Sequence, residues 1–237
     1  MGGTPFTVGI PVLNEEAILV PNTERLLHYL DSLGREYEVI IGSNGSTDST
    51  TTLGVDLSRR FPHVMFFHLP EKGVGLAFKE FVRRARYPFM VSVDMDLSVD
   101  LGFVATAVEL LETHDIVVGS KQMGNQKRSL FRRFGSDSFL FTTRLLLGLK
   151  YDDYSLAAKA FRVDVLRRFI DRVNKGSSYV LEICYVTKRA GGRITQVPVT
   201  CEDWRHSRFN LWHEAVYKYS HLVRLWLREI ASRQRQR

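Results

Sequence analysis

Two aspartates one residue apart, Asp94 and Asp96, close an apolar run within Pro88–Ser98 (PFMVSVDMDLS). A buried β-strand of that composition has no use for charge. Carboxylates at its C-terminal tip sit where open α/β sheets bind ligands. If the chain stays extended through the pair, side-chain alternation points both the same way. Paired hard oxygens at that spacing suit Mg²⁺ or Mn²⁺ carrying a diphosphate. The plainer reading is a strand end followed by a polar turn and a capped helix, and D-x-D alone does not decide between them.

The elements that must position this pair reinforce the first reading. Phe6–Leu13 is an apolar strand running into Asn14-Glu15-Glu16. Tyr37–Ile41 runs into Ser43-Asn44-Gly45-Ser46-Thr47-Asp48, and Val64–Leu69 into Glu71-Lys72-Gly73-Val74-Gly75. A helix-like segment follows each strand. Four apolar strands thus deliver polar or Gly-rich tips to one edge of a parallel sheet, as a nucleotide site requires. The glycines around Val74 allow a tight turn and let a helix N-terminus approach a phosphate, with Lys72 adding charge. Ser46 is expected to cap the helix after the second strand, with Asp48 pairing with its dipole.

At these residues the chain resembles a known family. I-P-x-x-N-E-E, N-G-S-T-D-S-T, K-G-x-G and D-x-D-L-S, in this order, resemble the first half of a family 2 glycosyltransferase. Asp115–Lys121 (DIVVGSK), Arg132-Arg133 with Ser136, Asp153–Phe161 (DYSLAAKAF) and Gln196–Arg208 (QVPVTCEDWRHSR) are similar to its polyprenyl-phosphate branch, typified by dolichol-phosphate mannose synthases. The resemblance runs over roughly residues 5–210 and implies an α/β GT-A (Rossmann-like) fold of three layers. It would have a mostly parallel central sheet and a C-terminal amphipathic helix. Residues 1–210 would form the glycosyltransferase domain, and 211–237 a basic helix of the same domain.

The resemblance also implies a site. The nucleotide sugar is expected on Pro11, Leu13, Asn14 and Glu15 of the first loop and on Ser43, Asn44 and Asp48 of the second. Lys72 and Gly75 of the third, Met95 beside the aspartates, and Lys121, Ser207 and Arg208 complete the set. Asp94, Asp96 or both would hold Mg²⁺ or Mn²⁺. The chain departs from its relatives at Ser43 and Asn44, where many carry an Asp that reads the base or ribose, which leaves the base open. Lys121 stands where relatives carry an arginine that meets phosphate.

Lys121, Arg128, Arg132 and Arg133 form a basic cluster ahead of an apolar, helix-like run, Phe139–Leu147. Such a cluster is ordinarily a solvated face. Bordering an apolar segment, it also suits a phosphate on an isoprenoid tail. By resemblance, Arg132 or Arg133 contacts the acceptor phosphate. Asp153 matches an acid near the catalytic centre, although Ala157-Ala158 replaces the Gly-Phe of relatives. A phosphate acceptor is already an anion and needs no general base, so Asp153 is expected to orient acceptor or sugar; otherwise it is a turn carboxylate paired with Lys159. Asp94, Asp96, Asp153, Arg132 and Arg133 are therefore the candidate catalytic set, working by a single inverting displacement.

Composition bounds these readings. The 237 residues, 44% hydrophobic, show no linker or repeat and suit one domain. Cys184 and Cys201 offer neither a disulfide framework nor zinc spacing and read as buried thiols. The first twenty residues already form a strand and its loop, so no signal peptide is expected. No apolar run reaches the ~20 residues that span a bilayer. The net charge is +7, concentrated in part from Arg224 to Arg237. Leu211, Ala215, Leu222, Trp226 and Ile230 lie on one stripe of a helix beginning near Leu211. That helix either docks on the core or lies on an anionic membrane. No recognition module points to nucleic acid. A cytoplasmic protein, peripheral on the cytoplasmic face of the membrane, is the expectation. A soluble acceptor, or a non-catalytic nucleotide-sugar or membrane-binding module, stays open.

Overall fold

The computed structural model describes residues 3–121, 130–154, 156–201 and 211–235. Strands β1 (Phe6–Val12), β2 (Tyr37–Asn44), β3 (Val64–Leu69) and β4 (Phe89–Ser92) alternate with helices α1 (Glu16–Ser32), α2 (Thr50–Arg60) and α3 (Val74–Arg84). Next come α4 (Gly102–Leu110), β5 (Ile116–Ser120), α5 (Leu130–Leu147) and β6 (Lys159–Arg162). The chain finishes with α6 (Val163–Phe169), α7 (Tyr179–Arg189), β7 (Ile194–Pro198) and α8 (Leu211–Arg235). Among the described residues the seven strands form one sheet in the order β3-β2-β1-β4-β6-β5-β7. β6 runs antiparallel to both β4 and β5, while the other pairings are parallel. The expected α/β, mostly parallel, three-layer fold is the one observed.

Both faces of the sheet are covered, which is why its central strands read as unbroken apolar runs. Val39 and Ile41 pack in the layer with Leu26 and Leu30 of α1, Leu57 of α2 and Val104 of α4. Ile40, between them, packs in the opposite layer with Phe78 and Phe81 of α3, Leu166 of α6 and Ile183 of α7. Alternation with period two splits three consecutive residues between two cores. α8 joins the second layer through Leu222, which is wholly buried. Asn174 helps to seat it: its side chain accepts a hydrogen bond from the Tyr217 hydroxyl at 3.1 Å and lies 3.1 Å from His221 Nδ1. Cys184 is buried as expected, whereas Cys201 is half-buried, a correction to that reading; neither is in a disulfide among the described residues.

β1 has β2 on one side and β4 on the other, so the chain order reverses direction there. Loops leaving strands on either side of such a point part from each other and open a crevice at the C-terminal edge. The loops after β1 and β4, with Glu15 and Asp94, flank that crevice.

Candidate active site

The first two loops are built around each other. Asn14 takes a left-handed backbone (φ 55°), a conformation Asn tolerates better than most residues. Its N–H donates to Ser46 Oγ at 3.1 Å, and its Oδ1 accepts the Thr47 N–H at 2.8 Å. The Glu15 N–H donates to Thr50 Oγ1 at 2.9 Å. Asp48 accepts the N–H of Glu16 at 3.3 Å and of Thr50 at 3.0 Å, while Glu16 accepts the N–H of Ser49 at 2.9 Å. Backbone donors at the starts of α1 and α2 are thus satisfied across the loops. Burial raises the Asp48 carboxyl's proton affinity, but these hydrogen bonds outweigh it and hold the group below its ordinary range. Ser49, not Ser46, occupies the N-cap position of α2, because Ser46 is turned towards Asn14 and Ser43.

The aspartate pair lies on a turn and not on a strand. β4 ends at Ser92, where its pairing with Gly9 of β1 ends. The Leu97 N–H then donates to Asp94 O at 3.1 Å, Leu97 is left-handed (φ 48°), and Asp96 Oδ1 accepts the Ser98 N–H at 3.1 Å. The extended-strand argument for co-directed side chains therefore fails; a tight turn brings the two carboxylates into electrostatic contact. Burial first, then the charge of Asp96, pushes the Asp94 carboxyl from 3.8 up to about 6, against the pull of Lys159 and Lys121. Glu15, across the crevice, adds to the rise. A half-buried carboxylate facing like charge is a donor set that a divalent cation would relieve. Among the described residues no group of three or more His, Cys, Asp or Glu is arranged to hold a metal. The residues present fit a cation that takes further oxygens from a diphosphate and water, as Mg²⁺ commonly does.

Beyond β4, the opposite charge gathers. Lys121, one residue past β5, lies 3.7 Å from Asp153 Oδ2. Asp153 is buried, and its Oδ1 accepts the Leu156 N–H at 3.0 Å. Lys159 opens β6 and is completely buried. Its ammonium donates to Leu156 O at 2.8 Å and to Gly119 O and Ala158 O at 3.4 Å each. Asp153 therefore pairs directly with Lys121; burial lowers the proton affinity of the Lys159 amine, and the nearby Asp153 charge opposes that fall.

Several candidate residues are used within the protein. Gly75 has no room for a side chain because a Cβ there would lie 2.1 Å from Asn174 O; its N–H donates to Lys175 O at 2.9 Å. The glycine notch expected to admit a phosphate is thus filled by the 174–176 segment, a correction to the sequence reading. The Met95 side chain is buried in the core and its carbonyl accepts from Asn22, so it presents no side chain to a ligand. Ser43 is buried against Ser46 and His68. Asn44 is buried too, donating to Val12 O at 3.0 Å and accepting the Gly73 N–H at 3.3 Å. Pro11 and Leu13 are half-buried at the end of β1, and Lys72 is exposed on the third loop. Arg132 and Arg133 fall in the first turn of α5, with their side chains outside the described residues; Ser207 and Arg208 lie outside them altogether.

The structure adds Tyr179, at the start of α7, to the surroundings of Asp94. Burial and the Asp94 charge both raise its hydroxyl's proton affinity. No sequence signal marks it, whereas Lys159 is legible as a lone charge in the apolar run L-A-A-K-A-F.

The family model described as glycosyl transferase family 2 matches residues 7–170. Among curated proteins, the chain is 25% identical over 233 residues to glycosyltransferase AglD of Haloferax volcanii, covering 94% of this chain and 37% of that protein. It is 28% identical over 174 residues to undecaprenyl-phosphate mannosyltransferase of Micrococcus luteus, covering 70% and 72%. The chain thus spans little more than a third of the first relative's length. Among solved structures, glucosyl-3-phosphoglycerate synthase of Mycobacterium tuberculosis, with Mn²⁺, UDP and glucosyl-3-phosphoglycerate, superposes with a TM-score of 0.66. The two are 19% identical, over 93% of this chain and 78% of that one. That likeness establishes a shared GT-A architecture.

Proposed function

The chain belongs to glycosyl transferase family 2, and on that premise we propose that it moves a sugar from a nucleoside diphosphate to a polyprenyl phosphate. The observation that carries this reading is the opposition of two charge groups at one sheet edge. The acidic turn of Asp94 and Asp96 sits at the β1/β4 crevice, with the Lys121–Asp153 pair beyond it. The names of the undecaprenyl-phosphate mannosyltransferase and of Salmonella undecaprenyl-phosphate 4-deoxy-4-formamido-L-arabinose transferases support a lipid phosphate as acceptor.

In this reading Asp94 and Asp96 would hold Mg²⁺ or Mn²⁺, as the Mn²⁺- and UDP-bound structural neighbour suggests. When bound, such a cation neutralises charge developing on the leaving diphosphate. Lys121 adds a positive charge from the far side. Asp153, tied to Lys121, orients the sugar or acceptor and takes no proton. An acceptor phosphate monoester is anionic at neutral pH. One of its oxygens bonds to the anomeric carbon as the bond from that carbon to the nucleoside diphosphate breaks, inverting the centre. Arg132 or Arg133, with Ser207 and Arg208, would grip the phosphates.

A membrane face suits this acceptor. α5 and α8 pack together, the Phe139 and Tyr219 rings lying 5.4 Å apart. Phe141, Leu145, Val216, Val223, Leu227 and Ile230 are exposed on the pair. Lys218, Arg224 and Arg228 share α8 with them. Aliphatic and aromatic side chains bordered by cations fit an anionic bilayer. Among the described residues no helix is long and apolar enough to cross one.

The test is transfer from a panel of UDP- and GDP-sugars to short-chain polyprenyl phosphate, with 3-phosphoglycerate as the competing acceptor. Mg²⁺, Mn²⁺ and EDTA arms report the metal. Lipid-dependent transfer lost in EDTA, and lost in Asp96→Ala, is expected. Removing a group that stabilises the transition state should cost ~2–4 kcal/mol, a loss of roughly thirtyfold to a thousandfold. Transfer to 3-phosphoglycerate alone, or full activity of Asp96→Ala in EDTA, refutes it.

A further inference from the structure

Among the described residues β6 alone runs against the rest of the sheet, and it stands between the two halves of the site. Its first residue, Lys159, pairs with Ser92, the last residue of β4, and with Val118 near the end of β5. One neighbour leads within two residues to Asp94; the other leads within three to Lys121. Lys159 thus sits under the join between the acidic turn and the basic tip.

Packing alone would place an aliphatic side chain there. The flanking Ala158, Ala160 and Phe161 are all buried. A wholly buried ammonium is costly unless its donors are met. Here its three N–H groups face three carbonyls, and these come from two separate segments. Leu156 O and Ala158 O belong to the 153–158 turn; Gly119 O belongs to β5. The 153–158 turn carries Asp153, and β5 leads to its partner Lys121.

We propose that Lys159 is a positioning residue: its ammonium fastens the 153–158 turn to the tip of β5 and so sets the Lys121–Asp153 pair in place beside Asp94 and Asp96. It touches no substrate in this role. It acts through Asp153 and Lys121, on the sugar and acceptor side, while the nucleotide side is held by the interlocked first and second loops. This rests on the proposed glycosyl transfer for its kinetic consequence, but the fastening itself can be read without turnover.

Lys159→Met keeps the stem's length and removes the charge and all three donors. Lys159→Gln keeps donors for two carbonyls. Hydrogen–deuterium exchange of the full chain should show the 153–158 amides exchanging at least tenfold faster in Lys159→Met, with the β1–α2 region unchanged. Binding of UDP or GDP with Mn²⁺, by calorimetry, should weaken much less than kcat falls, the remaining loss reflecting the Lys159 charge that favours the ionised Asp94 carboxylate. With polyprenyl phosphate as acceptor, kcat should fall at least tenfold and the donor KM should move less than threefold. Lys159→Gln should recover part of both losses. Unchanged exchange at 153–158 overturns the proposal whatever the activity. So does wild-type kcat in a folded Lys159→Met, or a loss of nucleotide affinity matching the loss of rate. If neither variant folds, Lys159 is a purely structural residue and the proposal is equally overturned. A wild-type protein inactive towards every polyprenyl phosphate defeats the functional reading instead, and the exchange data still judge the fastening.

Discussion

Replacing Asp94 by Asn should make the metal-free protein more stable while removing its capacity to use a metal. The Asp94 carboxyl is pushed from 3.8 to about 6 in the folded chain, by burial and by Asp96. At ~1.4 kcal/mol for each tenfold change in proton affinity, keeping that carboxylate ionised costs the metal-free fold up to about 3 kcal/mol at neutral pH. The sign follows from the raised value. Asp94's favourable contribution is complete below its unfolded value and is lost as pH rises through about 6. Asn, neutral throughout and nearly the same shape, escapes that loss. The variant should match wild type near pH 4 and exceed it above pH 6. For a chain of this size each kcal/mol moves the melting point by ~2–4 °C, so the gap at pH 7.5 should reach up to roughly 6–12 °C. Thermal melts in EDTA between pH 4 and 8 measure it. Adding Mn²⁺ with UDP or GDP should then raise the melting point of wild type and leave the variant where it was. An Asp94→Asn protein that melts at or below wild type in EDTA at pH 7.5 refutes the account of a carboxylate held ionised against its surroundings.

Arg132→Ala/Arg133→Ala should raise the KM for polyprenyl phosphate or lower kcat, with donor affinity unchanged; lost nucleotide binding with normal lipid turnover would reverse the division of the site. A form ending at Leu222 should remain folded, because Leu222 is buried whereas Val223, Leu227 and Ile230 beyond it are exposed. Among the described residues it removes the half-buried Leu225 and Trp226, of which Leu225 packs on the core and is worth about 1.5–3 kcal/mol at most. The same form should bind anionic liposomes less, by about 1 kcal/mol for each lost basic residue and less at high salt. Equal, salt-insensitive co-sedimentation of both forms would remove the membrane role from the end of α8.

The loops of the proposed donor half were legible because their parts are local. Each of β1 to β3 announces itself by apolar residues, and each ends in the polar loop that follows it directly in sequence. α8 was legible for the same reason, beginning at Leu211 as its stripe requires. What the sequence hid was contact between distant segments. Gly73 and Gly75 read as a phosphate notch, yet the partner that needs their missing side chains is the 174–176 backbone, a hundred residues later. Asn44 read as a ligand-facing polar group, yet it ties the end of β1 to the third loop. The aspartate pair stands out in the sequence, but β4 stops at Ser92 and the pair's geometry comes from a turn that apolar periodicity does not encode.

The acceptor half depends almost wholly on such distant contacts, and β6 explains why. Without it, β5 would pair with β4 and Lys121 would emerge one strand spacing from the aspartate turn. With an antiparallel strand inserted, the tips of β4 and β5 stand two spacings apart, about 10 Å. That is the scale of a gap a sugar and its contacts can occupy. Running the opposite way, β6 also delivers its beginning, not its end, to the ligand edge. The 153–158 turn therefore arrives at the site already joined to Lys159, and Asp153 can meet Lys121 across the gap. The strand that interrupts the parallel order both separates the two halves of the site and holds them in register. Its one buried charge sits at the point where those two tasks coincide.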